Sequence, residues 1–144
     1  MKLKAIASPA EIQLADLMAL YANEWWTDKR TAEDVRRMLA HTDFVFGFTE
    51  EPTGKLVAFA RVLTDRVYKA LVLDVIVAPA HRGTGLGRKL MEALLAHPEL
   101  QAVRHWELYC KPEMMPLYRK WGFTSELGGV NFMRMTRGQE IRET

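Results

Sequence analysis

A single cysteine, Cys110, in 144 residues excludes an intramolecular disulfide. The four histidines, His41, His81, His97 and His105, show no metal-ligand spacing with it or with one another, so no metal site is expected. No stretch approaches the roughly 18 apolar residues of a membrane span, and membrane partners are not expected. The start, MKLKAIASPAEIQ, lacks the apolar run and cleavage site of a signal peptide, which makes a cytoplasmic protein the expectation. Charge of either sign is scarce in excess: 20 basic against 18 acidic residues leave +2, too little to argue for nucleic acid. Linkers, repeats and low-complexity segments are absent as well. What remains is 49% hydrophobic and 26% charged residues, the balance of a globular chain with one core. A single domain over 1–144 is expected, its tail frayed from Arg137.

Local patterns order the chain. KLKAI alternates like a strand, and Ser8 to Glu11 form a capping box with proline at the first helical position. The helix it is expected to open carries Ile12, Leu14, Leu17, Met18 and Tyr21. Thr31 to Asp34 cap a second helix through about Ala40. Two β-rich runs, about 43–49 and 55–63, flank the turn EEPTG as a hairpin. KALVLDVIVAP is nearly continuous in apolar residues, as a strand buried on both faces would be. A helix to about Ala96, the strand RHWELYC, a short helix ended by the glycine of WGF, and a last strand VNFMRMT complete the order. This β-α-α-β-β-β-α-β-α-β succession predicts an α/β or α+β fold with a mixed sheet.

The third helix start breaks a rule that the first two obey. A helix N-terminus carries about half a positive charge and favours acids. Glu11 sits in one first turn, Glu33 and Asp34 in another. After Arg82, however, Gly83, Gly85 and Gly87 lead into Arg88 and Lys89, with no acid before Glu92. Local rules tend to be broken at functional sites. Glycines that admit left-handed angles, free N–H groups and added cations make an anion site, above all for phosphate. The G-x-G-x-G spacing is neither a dinucleotide fingerprint nor a Walker loop. A solvated basic turn is the plain alternative.

Arg82-Gly83-Thr84-Gly85-Leu86-Gly87 matches the Gln/Arg-x-x-Gly-x-Gly/Ala signature of the GCN5-related N-acetyltransferases (GNAT). VIVAP before it and LYRKWGF after it resemble the family's preceding strand and its later segment with tyrosine and Gly-Phe. The resemblance implies the acyl-CoA N-acyltransferase fold, a mixed sheet with splayed parallel strands flanked by about four helices. It further implies acetyl-CoA as cosubstrate, its pyrophosphate on the backbone from Gly83 through Thr84, Gly85, Leu86 and Gly87 to Arg88, with Arg82 or Arg88 adding charge. Its pantetheine arm would pair with Val75, Ile76 and Val77 on the splayed strand. Tyr118 falls on the family's tyrosine and would protonate the leaving thiolate, where packing of the short helix is the alternative. A homodimer is a further implication, since the family often pairs.

Acyl transfer to an amine of lysine-like pKa, about 10.4, also needs a proton path and an oxyanion donor, for which an N–H near Val75 is suited. Asp74 is the one charge in LVLDVIVA. A buried carboxylate there is either a base or cation holder in the site, or half of a salt bridge, with Arg61 as a partner. Glu107 and Glu113 are weaker bases. Cys110 reads as a core residue rather than a nucleophile. Tyr21, Trp25 and Trp26, beside Glu24 and Asp28, either wall a cationic acceptor or close the core. Arg61 and Arg66 favour an acidic acceptor instead, so the sign of the acceptor stays open. The expected activity is acetyl transfer to a small-molecule or peptide amine by direct attack in a ternary complex. The alternatives are a coenzyme A-binding module without transfer, or a polyanion-binding interaction domain.

Overall fold

In the computed structural model, residues 2–138 are described. The chain divides into two compact units, Met1–Tyr109 and Cys110–Thr144.

The first unit is built on a five-stranded sheet in the order β1-β2-β3-β4-β5. The strands are β1 (Lys2–Ile6), β2 (Phe44–Glu51), β3 (Lys55–Thr64), β4 (Lys69–Val77) and β5 (His105–Leu108). All neighbours are antiparallel except β4 and β5, which run parallel. That one parallel pair requires a crossover, which α3 (Leu86–Leu95) supplies. Side chains alternate across the sheet, so its two faces take different helices. Val45, Leu56, Phe59 and Ile76 join Leu17, Leu20 and Tyr21 of α1 (Leu14–Ala22) and Val35 of α2 (Ala32–Ala40) in one buried cluster. Phe46, next to Val45, points the other way, toward Leu90 and Ala93 of α3. The mixed sheet and helix count follow the sequence reading.

Three local expectations change. Ser8 does cap, accepting from the Ala10 N–H, but what it opens is a 3-10 turn, Pro9–Glu11; α1 starts only at Leu14. A capping box fixes the first turn, and here the chain leaves it in extended geometry at Ile12. On β4, Ala70, Val72, Asp74 and Ile76 are buried while Leu71, Leu73, Val75 and Val77 are only half-buried. Full burial on both faces fails along the whole strand, both within the β5 ladder (Leu71) and beyond it, where β4 runs on without that neighbour. Thr31, by contrast, caps α2 as expected, accepting from the Asp34 N–H at 3.2 Å.

The second unit holds a 3-10 turn, Pro112–Met114, and α4 (Met115–Arg119). Gly122, at φ 93°, ends this segment as the WGF glycine foretold. The expected last strand, VNFMRMT, is not one among the described residues: 130–136 form no ladder. Val130, Phe132, Met133 and Met135 are exposed, so the alternation that suggested a strand separates no buried face from an exposed one. The frayed tail expected from Arg137 lies, from residue 139 on, outside the described residues.

Gly47 in β2 is where the sheet tolerates no side chain. A Cβ there would stand 2.8 Å from the Ala58 carbonyl oxygen, 3.0 Å from Leu56 Cδ1 and 3.2 Å from Ile6 Cγ1. Gly47→Ala is therefore expected to destabilise the fold by about 1–3 kcal/mol, the usual cost of overpacking, read as a lower denaturant midpoint.

Candidate functional site

β4 runs past its parallel partner. Their ladder ends at Val72 and Leu108, while β4 continues to Val77, so Leu73–Val77 present an edge that β5 does not cover. Val75, Ile76 and Val77, where the sequence reading placed the parting of the two strands, all fall within this uncovered stretch. Beyond it, a 3-10 turn, Pro79–His81, leads into the glycine loop. Gly83 and Gly85 both take left-handed angles, φ 78° and 82°, and a Cβ on either would meet open space. Gly87 sits close to the strand; its Cβ would lie 3.9 Å from Val77 Cγ2. Thr84 is held by its hydroxyl, which donates to the His81 carbonyl.

Gly85 caps α3 without a side chain, unlike Ser8 and Thr31 at the earlier helix starts. The N–H groups of Leu86, Gly87 and Arg88 lie ahead of the first helical hydrogen bond, from the Lys89 N–H to Gly85 O at 3.1 Å. Arg88 and Lys89 are exposed and carry no ion pair among the described residues. Bare backbone donors, the positive helix end and two exposed cations without ion pairs are therefore gathered at the start of α3, a combination that fits a phosphate group. Arg82 is differently placed: its Nη2 pairs with Glu24 Oε1 at 2.7 Å and its Nε donates to Val77 O at 3.2 Å. Of the two arginines expected to add charge, Arg88 is the one at liberty.

Asp74 is buried and fully engaged. Arg61 Nε donates to its Oδ2 at 2.7 Å, the salt bridge that the sequence offered as the alternative to a base. Arg30 adds a fork, Nη1 to Oδ2 at 2.6 Å and Nη2 to Oδ1 at 3.2 Å, and the Tyr21 hydroxyl donates to Oδ2 at 2.9 Å. Burial pushes the Asp74 carboxyl up, but the hydrogen bonds and charges of Arg30 and Arg61 outweigh it and hold the group below its ordinary value. Burial, then the charge and hydrogen bond of Asp74, push the Tyr21 phenol far above its own ordinary value, so it stays a donor. A carboxylate so stabilised is a poor proton acceptor.

The expected acceptor wall divides. Tyr21 is 1% exposed and engaged with Asp74, so it belongs to the core rather than to a pocket lining. Trp25 is 74% and Trp26 41% exposed, with Asp28 also exposed, so these three present a surface. Successive turns shape this connection between α1 and α2: Thr27 N–H bonds to Glu24 O, Arg30 N–H to Thr27 O, and the buried Thr27 hydroxyl donates to Tyr21 O at 2.8 Å. They deliver Arg30 to Asp74. Both arginines that favoured an acidic acceptor are occupied, Arg61 by Asp74 and Arg66 by Glu99 at 2.9 Å.

Comparison with known proteins decides the family. The acetyltransferase (GNAT) domain matches residues 41–125, which takes in β2 to α4 and the whole glycine loop. The chain belongs to the GNAT family. It is 32% identical over 132 residues to GCN5-related N-acetyltransferase 1, chloroplastic, of Arabidopsis thaliana, covering 92% of this chain and 66% of that protein. It is 36% identical over 119 residues to serotonin N-acetyltransferase 2, chloroplastic, of rice, covering 81% of this chain and 60% of that protein. The chain thus spans no more than about two thirds of the length of these two relatives. A solved GNAT-family acetyltransferase structure from Xanthomonas campestris aligns over 94% of both chains with a TM-score of 0.82 and 30% identity.

Within this GNAT chain, Tyr118 lies on α4 in the second unit. Its ring packs against Trp121 and Phe123 at centroid distances of 6.1 and 6.0 Å. Burial, and after it the charge of Cys110, push its phenol above the ordinary value of 10.0, so it is protonated at neutral pH. Cys110 itself is exposed rather than a core residue, because the strand expected to bury it ends at Leu108. Glu107 pairs with Lys69 at 3.1 Å on the surface. Arg30 is the residue that sequence reasoning missed. Its signal was faint: a cation at the end of NEWWTDKR, 44 positions from the carboxylate it serves.

Because the folded Asp74 carboxyl sits below 3.8, its contribution to stability is complete above that value and is lost as pH falls through the folded pKa. Asp74→Asn is expected to cost about 3 kcal/mol at pH 7, the order seen when a buried pair loses one partner. The gap to wild type should narrow as pH drops below about 3.8, which paired denaturant titrations across acid pH would measure.

Proposed function

We propose that this protein is an acetyl-CoA-dependent N-acetyltransferase that acts on a primary amine by direct attack in a ternary complex. The observation that carries the reading is the join of an uncovered β4 edge to a left-handed glycine loop and a cation-bearing helix start. Acetyl-CoA supplies the activated acetyl group as a thioester. The N–H groups from Gly83 to Arg88 and the Arg88 side chain hold its pyrophosphate, and Val75, Ile76 and Val77 offer peptide-like hydrogen bonds along the strand edge. An N–H near Val75 stabilises negative charge developing at the acyl oxygen. Tyr118, protonated at neutral pH, gives its proton to the departing thiolate.

The acceptor we infer is an arylalkylamine. The name of the rice relative points that way. Exposed Trp25 and Trp26 beside Asp28 offer aromatic faces and a carboxylate to a cationic aromatic amine, while Arg61 and Arg66 are already paired. Tryptamine, spermidine and glutamate, each with acetyl-CoA, form the first panel, read by thiol release. Tryptamine is expected to turn over fastest and glutamate not at all; the reverse order overturns the acceptor assignment.

Calorimetry with acetyl-CoA, against ATP and NAD as controls, tests the loop. Each charge-assisted hydrogen bond is worth about 1.5–3 kcal/mol, so Gly85→Asp should weaken acetyl-CoA binding by about tenfold or more. Unchanged binding removes the loop from the site. Tyr118→Phe should lower kcat by about 10²–10⁴-fold with little change in coenzyme affinity, as loss of a general acid does; wild-type turnover removes its role.

A further inference from the structure

Asp74 is left-handed, φ 54°, inside a strand. Few residues other than glycine accept that conformation, and Asp and Asn are the ones that do so most readily. The only other such case among the described residues, Arg66, lies in the turn between β3 and β4. The backbone departure at Asp74 makes a bulge. Leu73 pairs with Arg61 and Ile76 with Phe59, so Asp74 and Val75 together stand opposite Ala60. One of the two residues in such a bulge drops out of the ladder. The bulge also falls just past Val72, where β5 stops pairing, at the mouth of the uncovered edge.

Three elements fix this departure through a single carboxylate. Tyr21 comes from α1, Arg30 from the connection before α2, and Arg61 from β3. The Arg30 guanidinium also lies 4.8 Å from the Tyr21 ring centroid, so the clamp is braced within itself. A carboxylate with that many donors does little for proton abstraction but much for holding its own backbone.

We propose that Asp74 is a positioning residue: clamped by Arg30, Arg61 and Tyr21, it holds the β4 bulge left-handed and so turns the Val75 N–H out of the ladder toward the acyl oxygen. This rests on the acetyltransferase reading. Arg30 makes the device sensitive to the acceptor side, because the same short connection carries Trp25, Trp26 and Asp28. The side chain of Asp74 never meets the reacting atoms; its backbone conformation is what acts.

The deciding readout is the carbonyl itself, which needs no acceptor; turnover with tryptamine is a second one. Acetyl-CoA labelled with ¹³C at the acyl carbon is bound to the full chain, and its carbonyl resonance is compared with the free thioester. Wild type is expected to shift the resonance downfield, as a hydrogen bond to the acyl oxygen does. Asp74→Ala, which loses both clamp and left-handed preference, should bring it back toward the free position. Asp74→Gly also lacks the carboxylate but adopts the angle freely, so it should keep more of the shift than Ala. The left-handed penalty of about 1–2 kcal/mol corresponds to a roughly fivefold to thirtyfold advantage in kcat with tryptamine for Gly over Ala. Calorimetric affinity for acetyl-CoA should stay within about threefold throughout.

An equal carbonyl shift in wild type and Ala overturns the proposal, as does a wild type that binds acetyl-CoA without any shift. Loss of the acid-side limb of the pH–rate profile in Asp74→Asn, with its carbonyl shift intact, overturns it in favour of a base. Should the Asp74 variants not fold, Arg30→Gln leaves Arg61 and Tyr21 on the carboxylate. It should reduce the shift, with partial rescue by Arg30→Lys, and an undiminished shift overturns the proposal. Failure of wild type to bind acetyl-CoA at all is the separate result that removes the acetyltransferase reading.

Discussion

A carboxylate buried in the middle of an apolar strand has to be answered, and the answer given to Asp74 organises the first unit. An isolated buried charge costs several kcal/mol or more, so the chain must bring cations to it. Arg61 comes from the adjacent strand, almost opposite in the ladder. Arg30 comes from 44 residues away, and only a connection folded by the turns at Thr27 can deliver it. The same need explains why Tyr21, on the buried side of α1, directs its hydroxyl at the sheet. One polar group thus ties helix, connection and two strands to a single point. Charges in such a cluster contribute more to fixing geometry than to net stability, because each salt bridge mainly repays desolvation.

The consequence for β4 is directional. Up to Val72 it is a regular strand with neighbours on both edges. At Asp74 it bulges, and from Leu73 on its β5 side is uncovered. It then runs through a tight turn into a loop whose two left-handed glycines leave room on their outer side. Strand edge, bulge and helix start lie in series along the chain within 15 residues, Asp74 to Arg88. On the acetyltransferase reading, an extended ligand with an anion at one end and a reacting carbonyl at the other suits that series, and sequence order becomes ligand order.

Much of this was legible because it is local. The cationic helix start, its glycines, the Thr31 cap and the hairpin each depend on residues within a few positions, where spacing carries the physics. Asp74 could be singled out as anomalous, and Arg61 named as its partner, because β3 and β4 follow each other in sequence. Arg30 could not be foreseen, since nothing in NEWWTDKR says which strand it reaches. Tyr21 was misread for a related reason: an aromatic beside two tryptophans resembles a wall until helix phase turns it inward, whereas Trp25, past the end of α1, stays outside. The last strand failed in the opposite way. VNFMRMT alternates well, but alternation creates a strand only where a neighbouring ladder exists to complete its hydrogen bonds.

The connection between α1 and α2 is held to β4 and its loop at two points of very different strength. Arg30 to Asp74 is buried at its carboxylate end, forked and shared with two further donors, so breaking it leaves Asp74 a donor short in low dielectric. Glu24 to Arg82 is short, 2.7 Å, but the arginine is half-exposed and water competes for both groups. Such a surface pair is worth about 0–1 kcal/mol, less than a single charge-assisted bond to a phosphate. The first tie therefore behaves as a fixed pivot at the bulge. On the acetyltransferase reading, the second is the tie that a phosphate at the loop displaces at little cost. Between the two ties the buried Thr27 fixes the turn that carries Arg30 to Asp74, while the neighbouring Trp25 and Trp26 side chains stay at the surface.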